Sequence, residues 1–181
     1  MKTINVPQRS EVSENNQALF DNLEKAVGFV PNLYATYAHN ETALGDYLTL
    51  QNRKSTLRAK EREVINLVVS QINECQYCLA AHTAIAKMNG FTDEQILEIR
   101  SRTVSFDDKL AALANYVADA VINRSKPSEA AVDALFEAGY NEANLVDIIM
   151  VIGDKIISNF IHGTTKVPID FPLAPELELV S

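Results

Sequence analysis

From Ser13 onward, apolar residues recur at spacings of three and four along almost the whole chain, the pattern of helices that each bury one face. Ala18, Leu19, Leu23, Ala26 and Val27 form the first stripe, opened by Ser13 as N-cap and stopped at Gly28. Gly28 to Leu33 is turn chemistry with Pro31 suited to a first helical position, and Leu33, Tyr34 and Tyr37 predict a short helix before His39 and Asn40 interrupt it. A further stripe, Ala43, Leu44, Tyr47, Leu48 and Gln51, spans 41–52. The stretch 59–71 differs, because between Val64 and Val69 it is apolar on nearly every side, which predicts a central, buried helix. Its β-branched residues would suit a strand, but no second such run exists to pair with it, and Glu61-Arg62-Glu63 opens it with good helix formers.

A helix over 74–89, closed by Gly90, follows, and Thr92 to Gln95 is a capping box for the next, to Arg100. Leu110, Leu113, Ala114, Val117, Ala118 and Val121 mark a helix over 107–122, and Pro127 and Ser128 open another that ends at Gly139. Asn141 caps a long final helix to Ile161, with Gly163 as its stop. Residues 1–12 read as an extended arm, and the tail 164–181 carries Pro168, Pro172 and Pro175, so it cannot be helical throughout. The expectation is an all-α chain of about eight helices, one domain over 1–181, with no sheet and no internal repeat.

Composition narrows the functional classes. With 47% hydrophobic residues in 181, the chain has material for a core, and a net charge of −8 argues against general affinity for nucleic acid. Arg53, Lys54, Arg58, Lys60 and Arg62 cluster locally but alternate with Glu61 and Glu63, as on a solvated helix start. No signal-type apolar run opens the chain, and Leu145 to Ile161 is interrupted by Asp147, Asp154 and Lys155, so the expected location is cytoplasmic, without membrane insertion. In such a compartment the lone Cys75-x-x-Cys78 pair is catalytic or metal-binding rather than structural. A bridge closing four residues would also constrain the unfolded chain less than the ~3 kcal/mol of a fifteen-residue loop.

In a helix Cys75, Cys78 and His82 fall at i, i+3 and i+7 on one face. Cα atoms one turn apart lie about 5 Å from each other, inside the window of about 4.4 to 6.8 Å that a disulfide accepts, and His82 is one turn beyond Cys78. If Asn73 is the midpoint of a helical hairpin, Glu63 precedes it by as many residues, within one, as His82 follows it, so the carboxylate and the imidazole sit at the same height. Such a carboxylate would fix the imidazole and stabilise its protonated form. The base is needed: a helix N-terminus favours an anion by roughly 0.3 to 1 kcal/mol, less than the ~1.4 kcal/mol of a single pKa unit.

Glu63, Cys75, Cys78 and His82, with the text Val-Ser-Gln-Ile-Asn-Glu-Cys-Gln-Tyr-Cys-Leu-Ala-Ala-His around them, resemble the active-site pattern of the AhpD-like alkylhydroperoxidases of the carboxymuconolactone decarboxylase superfamily. The core match runs from about His39 to Val121, and the Gly-Phe-Val-Pro-Asn segment and Val-Pro-Ile-Asp-Phe-Pro tail resemble its peroxidase-related branch. The resemblance implies an AhpD-like helical bundle with the redox motif at the N-terminus of a central helix. It further implies a homo-oligomer without cofactor that reduces hydrogen peroxide or alkyl hydroperoxides and is reset by an external dithiol or disulfide reductant. Cys78 would attack, Cys75 resolve, and His82 with Glu63 relay the proton. Where some members carry a histidine before the second cysteine, this chain has Tyr77, a phenol with pKa about 10 that is a poor base at neutral pH. Tyr77 and Asn159 are candidates for a supporting layer.

Three rival readings remain in view. The dithiol could pass electrons to a partner peroxidase; the wider superfamily implies cofactor-free lactone decarboxylation; and Cys75, Cys78, His82 with Glu63 or His162 could bind zinc in a helical binding module, although a second ligand knuckle is lacking. His39 and His162 read as ordinary loop and helix-end residues, and Tyr34, Tyr37 and Tyr47 as core or subunit contacts.

Overall fold

The computed structural model describes residues 4–177, so the ends of the expected arm and tail, 1–3 and 178–181, lie outside the described residues. Every regular element among the described residues is helical. A 3₁₀ turn, Arg9–Glu11, precedes α1 (Glu14–Val27), α2 (Asn32–Tyr37), α3 (Ala43–Gln51), α4 (Ala59–Ile72), α5 (Gln76–Met88), α6 (Asp93–Ser101), α7 (Asp108–Ile122), α8 (Glu129–Glu137) and α9 (Glu142–Thr165). Among the described residues the all-α expectation holds, with nine α-helices against about eight.

Local chemistry sets most boundaries. Ser13, Thr92, Asp107 and Ser128 each accept a backbone N–H of their own first turn. At the start of α9 the backbone N–H groups of Asn141 and Asn144 each donate to the other's side-chain Oδ1 at 3.0 Å. Gly28, at φ +91, ends α1 in the left-handed conformation that glycine adopts without strain. The expected stop at Gly163 is corrected. α9 runs through it to Thr165, since a single helical glycine costs only about 1 kcal/mol relative to alanine, and the turn is made by Lys166 at φ +53, two residues before Pro168.

Contacts cluster into two compact units. One draws on residues up to Lys54 and on Phe160–Asp170, the other on Ser55–Asn159 and the chain from Phe171. In the first, Asn16 donates to the carbonyls of Ala38 and Asn40, Asp170 accepts the N–H of Asn32, and Tyr37 stacks on Tyr47 with ring centroids 4.4 Å apart. These tyrosines are packing residues.

The second unit is built on α4, which packs against α5, α6 and α7. Val64, Ile65, Leu67, Val68 and Val69 are all at most 1% exposed, the outcome expected of a helix apolar on every side. They share one cluster with Ile96 and Ile99 of α6, Leu113 and Val117 of α7, Leu135 of α8 and Ile148 of α9. The C-terminal segment packs here too. Phe171 meets the Tyr77 ring edge-on at 5.7 Å, and Arg100 donates to the Pro175 carbonyl and to Gln71. No helix among the described residues is long and apolar enough to cross a membrane.

Replacing Leu67, which has no exposed surface, by alanine should lower stability by about 2 to 5 kcal/mol through lost burial and a residual cavity. Urea unfolding followed by circular dichroism checks this, and a loss below about 1 kcal/mol would contradict the central placement of α4.

Candidate active site

Three residues, Asn73, Glu74 and Cys75, join α4 to α5. Asn73 closes α4 by donating to the Val69 carbonyl, and Cys75 N–H turns back to Ser70 O, both at 3.0 Å. Between them Glu74 takes φ +53, a left-handed conformation unusual for a residue with a side chain. That turn sets Cys75 at the N-cap of α5 with extended dihedrals, φ −82° and ψ 92°, and not inside the helix as the spacing predicts. The physical reason is that an N-cap side chain leans over the first turn towards the third helical residue, and here that residue is Cys78. Cys78 N–H accordingly donates to Cys75 Sγ at 3.4 Å, and the two sulfurs lie 2.8 Å apart. Both are free thiols, and a covalent bridge would be about 2.05 Å.

The counted register between the helices is met by a bond. His82 Nδ1 lies 2.8 Å from Glu63 Oε2, and Glu63 Oε1 accepts from the Asn66 amide at 3.0 Å. Burial raises the Glu63 pKa, but the opposing effects of His82, by charge and hydrogen bond, of Asn66 and of Lys155 outweigh it and hold the carboxyl below its ordinary value. An ionised carboxylate can only accept, so Nδ1 carries the hydrogen and Nε2 is left to take up a proton.

The dithiol is asymmetric. The Cys75 thiol donates to Cys78, and that bond, with burial, pushes Cys75 well above the ordinary thiol value. The same bond pulls Cys78 well below it; burial opposes this, while the charges of Lys155 and His82 and a bond from Asn159 add to it. The pair is therefore biased towards a thiolate on Cys78 and a proton on Cys75.

α9 supplies a wall that spacing within the motif does not reveal. Ser158 Oγ lies 4.0 Å from Cys78 Sγ, and Asn159 accepts from the Asn73 amide at 2.9 Å while its own amide donates to Ser70 Oγ at 3.5 Å. Asn159 thus joins the site, as does Lys155, buried at 2% exposure and acting electrostatically on Cys78 and Glu63. Tyr77 is buried against Phe171. His162 Nε2 contacts the Val167 carbonyl, and His39 Nε2 the Asn5 carbonyl. No three His, Cys, Asp or Glu side chains among the described residues converge in a metal-binding arrangement.

Residues 38–120 match the carboxymuconolactone decarboxylase family. The fold is shared with an AhpD-core, peroxidase-related protein from Ralstonia eutropha JMP134, at a TM-score of 0.83 and 21% identity over 94% of each chain. A peroxidase-related protein from Silicibacter sp. TM1040 has a TM-score of 0.79 and 24% identity over 96% of this chain and 91% of its own. A variant of the debrominase Bmp8, solved with 2,3,4-tribromopyrrole, has 0.78 and 16% over 94% and 92%. No curated protein matches the sequence. The family match is confined to 38–120, and what the chain shares with these structures over nearly its whole length is the AhpD-like helical fold.

Because the folded Glu63 is more acidic than the unfolded one, it adds stability that is fully present above the ordinary carboxylate value of about 4.3 and is lost as pH falls through its lower folded value. Glu63→Gln should flatten this acid limb of the stability curve, measured by urea midpoints across pH. An unchanged limb would mean that the His82 bond does not hold the carboxylate ionised.

Proposed function

We propose that the chain is a thiol-dependent peroxidase that reduces hydrogen peroxide or alkyl hydroperoxides through the Cys75–Cys78 pair. The observation that carries this is the asymmetric dithiol, a Cys78 biased to thiolate with its resolving sulfur already 2.8 Å away. Proton transfer from Cys78 to His82 leaves the nucleophile, and Glu63 stabilises the imidazolium. The thiolate attacks one peroxide oxygen. The O–O bond breaks, Cys78 becomes a sulfenic acid, and the departing alkoxide or hydroxide takes its proton from His82. Cys75 then condenses with the sulfenic acid, releasing water and closing the disulfide, which an external dithiol reopens.

Burial bears on the substrate. With Cys75 at 4% and Cys78 at 2% exposure, a small peroxide reaches the sulfur with less rearrangement than a protein disulfide, whose exchange demands direct sulfur-to-sulfur approach. That favours direct peroxide reduction over electron transfer to a partner. The helical fold is one that peroxidase-related proteins and a debrominase also have, which is in keeping with a reductive reaction without choosing the substrate.

Dithiol-dependent peroxide consumption tests the reading. Cys78→Ser should lose at least 100-fold in rate, as removal of a nucleophile does. Cys75→Ser should instead accumulate a sulfenic acid that reacts with dimedone. Wild-type turnover in Cys78→Ser would overturn the assignment, and disulfide reduction without peroxide consumption would identify an electron carrier.

A further inference from the structure

Lys155 is the charged residue that the motif does not contain. It lies on α9 one turn before Ser158 and Asn159, at i, i+3 and i+4, so the three share one face of the helix. Ser158 is 4.0 Å from the Cys78 sulfur, and Asn159 is bonded to Asn73 and Ser70 beside the hairpin turn. Lys155 is at the same wall and is 2% exposed. A lysine removed this far from water needs an anion. Asp154, though adjacent and also buried, points about 100° away around the helix.

Charge pairing identifies the partner. The ionised site holds two buried anions, the Glu63 carboxylate and the Cys78 thiolate. Glu63 is already matched by His82 at 2.8 Å. The remaining anion is the thiolate, and the remaining cation is the Lys155 ammonium. Cys78 is faced by Cys75 at the N-cap of α5, by His82 of α5, by Glu63 of α4 through His82, and by Lys155, Ser158 and Asn159 from α9. Lys155 alone among these is a cation without a proton-relay duty.

We propose that Lys155 is the fixed counter-charge of the Cys78 thiolate and that, through it, α9 sets the redox poise of the Cys75–Cys78 pair. This rests on reading the pair as a redox dithiol. When an external dithiol reduces the disulfide, two electrons enter and the S–S bond breaks. The reductant closes its own disulfide and releases two protons, one ending on Cys75 and the other on His82, while Cys78 is left as the thiolate. The disulfide carries no charge for Lys155 to act on, so the ammonium stabilises only the reduced state. Lys155 is thus a positioning residue for charge, acting without contact to the peroxide.

The linkage gives a quantitative test. Lys155→Met should shift the Cys78 thiol–thiolate equilibrium at least tenfold towards the thiol. Above the thiolate pKa of both proteins, the potential should fall in step, by about 30 mV per tenfold for a two-electron couple. Lys155→Gln should move both readouts in the same direction, and Lys155→Arg should keep both within threefold. Ultraviolet thiolate absorbance across pH, with equilibration against a glutathione buffer, provides the measurements. Neither needs peroxide, so failure of peroxide turnover would leave this inference standing. A folded Lys155→Met or Lys155→Gln protein with both quantities within twofold of wild type overturns it. If neither neutral variant folds, the Cys78→Ser background decides. Recovery of folding there supports the thiolate as the partner of Lys155, and continued failure overturns it.

Discussion

The contact between Glu63 and His82 joins α4 to α5 at a depth where neither group could be left alone. An unpaired carboxylate at 6% exposure would be expelled or neutralised, and an unoriented imidazole would have no fixed nitrogen to offer the sulfur. Pairing them resolves both problems. The bond also constrains the hairpin, because it can form only if the turn from Asn73 to Cys75 brings the two helices into register. The left-handed Glu74, the Cys75 cap and the meeting of the two sulfurs all depend on that register.

Packing and chemistry are divided along α4. Its Val64, Ile65, Leu67, Val68 and Val69 bind the surrounding helices into one core, while Glu63, Asn66 and Ser70, also buried, serve the site. The helix is buried all round, so its polar residues must find partners inside the protein. Glu63 and Ser70 find them in α5 and α9. The same demand that stabilises a buried polar group therefore arranges the reactive one.

Much of this was legible in the sequence, for identifiable reasons. A short hairpin between two helices makes register a matter of counting, and Glu63 and His82 are equally far from Asn73 to within one residue. Thr92, Asp107 and Ser128 announce helix starts through side chains with one favoured use. The spacing of Cys75 and Cys78 was ambiguous, because three residues fit one helical face and also fit an N-cap over its first turn. Only the backbone of Glu74 distinguishes them. Lys155 left a trace as a charge inside the apolar run of α9, but nothing local says which buried anion a lysine answers. Ser158 and Asn66 left none, since a serine or asparagine within a helix has no periodicity of its own.

The separation of the two halves of the site along the chain bears on how the protein is made. Cys78 and Ser158, which face each other in the folded molecule, are 80 residues apart. At a synthesis rate of about 5 to 20 residues per second, the cysteines emerge roughly 4 to 16 s before the wall of α9. During that interval they lack the lysine, the serine and the asparagine that later surround them. The surroundings of the dithiol are therefore complete only once the last long helix, α9, has been made and has packed.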